Sequence, residues 1–281
     1  MTVGTHAFTA DVTVHDATTV STNTHQSVSF NNLHLNGNGL LKMGQGTMSI
    51  DGVVDGEFVD VRQGTLAGNG TINDSLTNRS GTLSPGNSID TMTVNGELEN
   101  TAAGTVLIEI DGTTGAGVVG GHDQIQVTGT ASLDGTLDIA PGTGYSDPTV
   151  RGDRNHFTLI TATEGITGTF GTVNYNGTTL SAEFSDGDSF RDHQGGGLFR
   201  HGTCDGNNVS LTNLLALEGD ADGDIDITDF NFPAANFADT GYDGNAIGDQ
   251  VSEPTTLCLQ AISGLLLLFG WRSGRIESLG R

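Results

Sequence analysis

Basic residues are scarce in this chain. Ten lysines and arginines stand against 34 acidic residues, and Lys42 is the single lysine. A net charge of −24 argues against a nucleic-acid partner, because phosphate contacts need Lys and Arg. It favours solubility, cation binding, or an extracellular or salty setting. Cysteine is nearly absent: Cys204 sits in a Gly-rich loop and Cys258 in an apolar tail, which is no disulfide framework. Proline occurs 5 times, aromatics make up 6% and hydrophobic residues 35%, so the core is built from few large side chains. The longest apolar stretch, Leu257 to Trp271, falls short of the roughly 20 residues of a bilayer span. Met1 to Ala10 has neither a basic start nor an apolar segment of a signal peptide. For an exported protein the expectation is either that the chain is a fragment or that its true start lies upstream.

What the chain has instead is glycine, 43 residues of it, scattered with Thr, Asn and Asp between short apolar runs. There is no collagen period. This composition predicts many short strands joined by tight turns. A Gly-Thr-apolar step recurs at Gly46-Thr47-Met48, Gly64-Thr65-Leu66, Gly81-Thr82-Leu83 and Gly104-Thr105-Val106, at intervals of 18, 17 and 23 residues. A period near 20 is the length of one solenoid coil. Coils cannot bury their own apolar face and must stack, with alternate strand residues pointing inward. Leu66, Ile72, Leu83, Ile89 and Val94 are expected inside, and Leu107 is a further inward candidate.

The segment Gly64-Thr65-Leu66-Ala67-Gly68-Asn69-Gly70-Thr71-Ile72 resembles the repeat associated with bacterial autotransporter passenger domains. Ser80-Gly81-Thr82-Leu83-Ser84-Pro85-Gly86-Asn87-Ser88-Ile89 resembles it more closely, and Met92-Thr93-Val94-Asn95-Gly96 continues it. Asp90 stands where the family has glycine. The resemblance implies a right-handed parallel β-helix. It weakens through His122-Asp123-Gln124-Ile125 and Gly135 to Ile139, and fades after Phe157 to Ile160 and Gly168 to Phe170. The remaining residues are too few for a membrane barrel, so self-export is not expected.

The chemical signal lies further on. Glu218-Gly219-Asp220-Ala221-Asp222-Gly223-Asp224-Ile225-Asp226-Ile227-Thr228-Asp229 has the oxygen pattern of a twelve-residue calcium loop. Ligands come from positions 1, 3, 5, 7, 9 and 12, with glycine at 6. Glu218, Asp220, Asp222, Asp226 and Asp229 would supply carboxylates and Asp224 its carbonyl, with Gly223 at the turn. A register starting at Asp220 puts Ile225 at the turn and fits worse. No Lys or Arg occurs between Arg200 and Arg272, where eleven acidic residues do. A calcium ion, Ca2+, would relieve their repulsion. The segment resembles a dockerin-type repeat, whose partner is a cohesin. Glu218 replaces the usual Asp, Pro233 interrupts the following helix, and no second repeat is evident in Tyr242 to Gln250. An acidic linker is the alternative.

At the C-terminus, Ser252-Glu253-Pro254 is followed by the apolar run Leu257 to Trp271 and then Arg272 and Arg275. This order resembles the PEP-CTERM sorting signal of exported bacterial proteins, with Ser252 in place of the usual proline. The resemblance implies export, transient membrane contact, and recognition by a transpeptidase-like sorting enzyme near Glu253 and Pro254. A buried terminal helix is the alternative.

No catalytic constellation emerges. Asp51, Asp55, Glu57 and Asp60 are close in sequence, but Gly52 and Gly56 mark turns between them. His122-Asp123 has no partner nucleophile. Arg151-Gly152-Asp153 is a chance tripeptide. The expected architecture is all-β: a lead-in over 1–17, a right-handed parallel β-solenoid (β-helix) over 18–183, and a Gly-rich linker over 184–211. A small EF-hand-like calcium module over 212–240 and a sorting tail with a short apolar helix over 251–281 would follow. The expected role is an exported, extracytoplasmic surface or adhesive protein, with polysaccharide or extracellular matrix as partner. The alternative is a carbohydrate-active enzyme or polysaccharide-binding module. A groove lined by carboxylates or exposed aromatics would favour the latter, and a uniform Thr, Asn and Ser surface the former.

Overall fold

A computed structural model describes residues 4–150, 153–180, 189–193 and 198–215. The described residues are all-β, with a β-helix-like arrangement of three sheets of nine, ten and seven strands. The chain visits the three sheets in turn, so each of the first nineteen strands pairs in parallel with the strand three places on. Strands Thr5–Phe8 and Val12–Thr13 already take part.

The recurring Gly-Thr-apolar step is the rung of the nine-stranded sheet. Thr47 lies beside Thr65, Thr65 beside Thr82, and Thr82 beside Thr105. The same column extends back through Ser27 to Thr5 and on through Thr136 to Thr172. The next residue of each rung points inward. Met48, Leu66, Leu83, Val106 and Leu137 are all fully buried. Strand periodicity dictates this, since neighbours along a strand face opposite sides. Each such side chain contributes about 1.5–3 kcal/mol when buried, yet no single coil can shield it. Stacking supplies the shield.

Of the expected core, Leu66, Ile72, Leu83 and Val94 are buried at 1% exposure or less. Ile89 is only half-buried, because it falls in the bend between strands Thr82–Pro85 and Thr91–Val94 and not on a rung. Leu107 also departs from expectation. Strand Thr105–Ile110 alternates with Val106, Ile108 and Ile110 inside, so Leu107 faces out. The outward threonine at the strand's first position sets that phase.

Close stacking is set by glycine at the corners. Gly68 has φ +110°, and a Cβ there would overlap the carbonyl of Ile50 in the preceding coil. Polar groups inside the solenoid hold the corner backbone. Lys42, Asn78 and Asn100 share one inward column of the seven-stranded sheet and are buried to 1% or less. Lys42 Nζ donates to the carbonyls of Met43, Gly44 and Gln63 at 2.9, 2.9 and 3.0 Å. Asn78 Nδ2 donates to Asn100 Oδ1 at 2.7 Å and to the Thr105 carbonyl at 3.0 Å. Asn100 Nδ2 reaches the carbonyls of Gly104 and Asp134. Burial without these bonds would cost several kcal/mol each.

The pattern changes towards the C-terminal side. Strand Asn208–Leu215 extends the ten-stranded sheet antiparallel to Arg154–Ala162, and Leu198–Asp205 pairs antiparallel with Asn208–Leu215 in turn. Most of these residues fall where the sequence reads as a Gly-rich linker over 184–211, and 212–215 where it reads as the start of the calcium module. The alternation in Asn208–Leu215, with Val209, Leu211 and Asn213 buried, is a strand pattern that the neighbouring glycines mask.

Candidate functional site

The calcium-loop candidates Glu218, Asp220, Asp222, Asp224, Asp226 and Asp229, the sorting residues Glu253 and Pro254, and the apolar tail all lie outside the described residues. Among the described residues, no group of three or more His, Cys, Asp or Glu is placed to hold a metal ion. No helix among them is long and apolar enough to cross a membrane.

The four neighbouring acids of 51–60 are dispersed by the coil geometry. Asp51 sits at a corner and accepts from Ser49 Oγ at 2.7 Å. Asp55 ends a strand of the ten-stranded sheet and pairs with His34 Nδ1 at 2.8 Å, which raises the His34 pKa. Glu57 is exposed. Asp60 is carried to the outer face of the seven-stranded sheet.

That face holds a groove. Phe58, Asp60 and Arg62 stand at i, i+2 and i+4 beginning in strand Phe58–Val61, so all three face outward. In the adjacent strand Ser75–Asn78, Thr77 lies beside Asp60, and Arg79 follows two residues on. Arg62 Nε and Arg79 Nε both donate to Asp60 Oδ2 at 3.0 Å. The Asp60 side chain is 5% exposed, while the two arginines are 48% and 55% exposed. Among the described residues no group bonds Asp60 Oδ1, although it is buried. The Phe58 ring, 38% exposed, folds over Gly39, where any Cβ would overlap it. Together with Leu41, Thr77 and Ala17 to Thr19, these residues line a groove of about 410 Å³. Its volume is in the range of small-molecule sites, roughly 300–1,000 Å³.

Sequence reasoning included Asp60 only as one of four acids and missed the arginines. The signal was in the scarcity of positive charge. Between residues 1 and 150 the lysines and arginines are Lys42, Arg62 and Arg79 alone, and the coils bring them onto adjacent strands or their ends.

A second polar cluster lies further along. Arg200 is 7% exposed, pairs with Asp147 at 2.8 Å, and its guanidinium lies 3.9 Å from the Tyr175 ring centre. Asn213 Nδ2 donates to Tyr145 Oη at 2.7 Å and to Asp147 Oδ1 at 3.0 Å. Burial raises the pKa of both tyrosines, so they remain neutral hydrogen-bonding groups. The arginine is neutralised within the cluster, which ties the antiparallel strands to the last coils.

His122 and Asp123 serve structure. Asp123, fully buried, accepts backbone N–H bonds from Asp90 and Glu109 at 2.9 Å each. Burial pushes its pKa up to about 7, with those two bonds opposing. His122 packs edge-on against Phe157, and burial lowers its pKa.

No family model matches this chain, and no curated protein matches it.

Proposed function

We propose that this protein is an exported, surface-associated structural or adhesive β-solenoid of right-handed winding. A dockerin-like calcium loop and a PEP-CTERM-like sorting tail follow the solenoid. The observation that carries this reading is the outward column Thr5, Ser27, Thr47, Thr65, Thr82, Thr105, Thr136 and Thr172 on one parallel sheet. Strand neighbours are about 4.8 Å apart, so the hydroxyls form a regular polar strip suited to repetitive contact with an extended partner. Right-handedness follows from the rule for parallel crossover connections. Calcium at Glu218, Asp220, Asp222, Asp224, Asp226 and Asp229 would order the acidic module by relieving repulsion and coupling binding to folding. Cohesin docking would be weak with a single repeat. The sorting enzyme would act near Glu253 and Pro254.

The groove at Phe58 and Asp60 favours the second reading, a saccharide-binding module, as an activity of the same surface protein. Export is tested by expressing the full chain behind a signal peptide in a bacterium that carries the sorting enzyme. Surface protease should cleave the wild type, and a Glu253→Ala/Pro254→Ala variant should stay in the membrane fraction. Protection of both in the cytoplasm sinks the reading. Calorimetric titration of the full chain with calcium should show one site that Asp222→Ala abolishes. No heat at millimolar calcium leaves an acidic linker.

A further inference from the structure

We infer that the groove on the seven-stranded sheet is a binding site for a carboxylate-bearing sugar, the acidic unit of a polysaccharide. The inference rests on the saccharide-binding reading above and supplies its site and ligand class.

Three features converge. First, the groove holds both exposed basic residues of the first 150, in a chain of net charge −24. Arg62 and Arg79 are anchored through Nε on Asp60 Oδ2, and about half of each side chain remains open to solvent. Anchoring through Nε leaves the terminal nitrogens of each guanidinium as donors, and planar guanidinium groups match carboxylates. The two arginines outnumber the one carboxylate lining the groove. Glu99, the next outward residue beyond Thr77, accepts from Thr77 Oγ1 at 3.5 Å and acts on Arg79 from outside the groove lining. Second, the Asp60 carboxylate lies beneath the two arginines, 5% exposed, and fixes both guanidinium groups from the groove floor. It orients the arginines and does not itself meet the ligand. Third, the Phe58 ring lies beside these groups. Aromatic rings pack against the C–H face of a pyranose, an apolar contact of the kind that lines small-molecule sites.

The combination selects among ligands. A metal cation is repelled by two guanidinium groups. A neutral sugar uses Phe58 but leaves both arginines idle. A bare inorganic anion uses the arginines but leaves Phe58 idle. A sugar carboxylate uses all of them.

The test is calorimetric titration of the full chain with trigalacturonate, with its methyl ester, and with inorganic sulfate. EDTA is present throughout so that calcium at the acidic loop plays no part. Trigalacturonate should bind, and its methyl ester should bind about tenfold or more weakly. Arg62→Gln/Arg79→Gln should abolish that preference, and Phe58→Ala should weaken both sugars. Both sets of side chains are partly exposed, and thermal melts should show all variants folded. Sulfate binding as tightly as trigalacturonate reduces the site to an anion site and overturns the inference. Equal binding of acid and ester, unchanged in the double-arginine variant, also overturns it while leaving saccharide binding elsewhere intact. If neither sugar binds at millimolar concentration, both the inference and the saccharide reading fail.

Discussion

The early coils and the late ones solve the same packing problem differently. Between Thr47 and Thr105 successive rungs are 17 to 23 residues apart. Corners are tight, and the inward Lys42 and Asn78 bond to the backbone of the next coil. From Thr105 to Thr136 and on to Thr172 the spacing grows to 31 and 36 residues. The added chain forms excursions, and the ten-stranded sheet gains antiparallel strands. There the polar bonds run between side chains, as in Asp147, Arg200, Tyr145 and Asn213. Early coils are held by repetition, late ones by particular pairs. A repeat therefore punishes a change at its corner, whereas the late region punishes loss of a partner.

The largest break should come at a corner. Gly68→Val forces a β-branched residue to φ +110° and drives its Cβ into the Ile50 carbonyl. The expected loss is about 3 kcal/mol or more. Gly206, in the late hairpin, also has positive φ, but a Cβ there meets nothing within 4 Å. Gly206→Ala should cost only roughly 1–2 kcal/mol. Chemical denaturation of the two variants checks this, and equal losses would erase the distinction between the regions.

Next in size is Ile108→Thr, on the rung where the short coils give way to long ones. Ile108 is fully buried. The change removes apolar volume and buries a hydroxyl, for about 2–4 kcal/mol. A loss under about 1 kcal/mol would place this side chain outside the core.

Asp123→Asn tests the fastening between the regions, since its carboxyl takes N–H bonds from residues 90 and 109. The amide turns one acceptor into a donor facing a donor, and should cost about 1–3 kcal/mol. The pH signature has a definite sign. The folded pKa is raised from 3.8 to about 7. This group's stabilisation is therefore complete below about pH 4 and is lost as pH rises towards 7. The stability gap between wild type and variant should be widest near pH 4 and narrow towards pH 7. A gap that widens with pH would show that the two N–H bonds outweigh burial.

Much of this architecture was legible in the residues. The Gly-Thr-apolar step located four consecutive rungs because coil length varies little there and the outward threonine recurs. Ile89 was misplaced because it falls in a bend between strands, and Leu107 because periodicity of two has two phases. Only the rung position of Thr105 fixes which phase is inside. Strand Asn208–Leu215 was hidden by its glycine-rich flank, although its alternation was visible. The groove was not legible as a site. Phe58, Asp60 and Arg62 are spaced for one face, but Arg79 joins them only through a register that sequence spacing does not specify. Lys42 gave no sign of burial, because a lone lysine ordinarily lies at the surface.

Lys42 also sharpens the contrast between the regions. It is a buried cation bonded to carbonyls alone, where Arg200 has a carboxylate. Burial lowers its pKa from 10.5 to about 8. Between those values the unfolded chain binds the proton more readily, so wild-type stability should rise from pH 8 to 10.5. Lys42→Met should flatten that rise. At pH 7 it should cost about 1 kcal/mol, because it removes three donors but also a desolvated charge, and the Met43 carbonyl keeps the Thr22 N–H. Denaturation at pH 7, 8.5 and 10 reads both effects. A rise that persists in the variant assigns it to another group.

The smallest expected effect is at Leu107, one residue before Ile108. Sequence reading put Leu107 inside, whereas the strand places it outward between Thr105 and Glu109, beside Asp138 of the next rung. Leu107→Thr continues the hydroxyl-bearing outer face and keeps a residue type suited to strands. It loses only part of the side chain's contacts, because Leu107 is half-buried. The change in stability should stay within about 0.5 kcal/mol. The measurement is the urea midpoint at unchanged slope, set beside that of Ile108→Thr. Two adjacent residues given the same substitution should then differ several-fold in cost, a difference that only the strand's inside-outside alternation produces. If Leu107→Thr costs as much as Ile108→Thr, both side chains contribute to a core, and the outward threonine column does not set the phase of this rung.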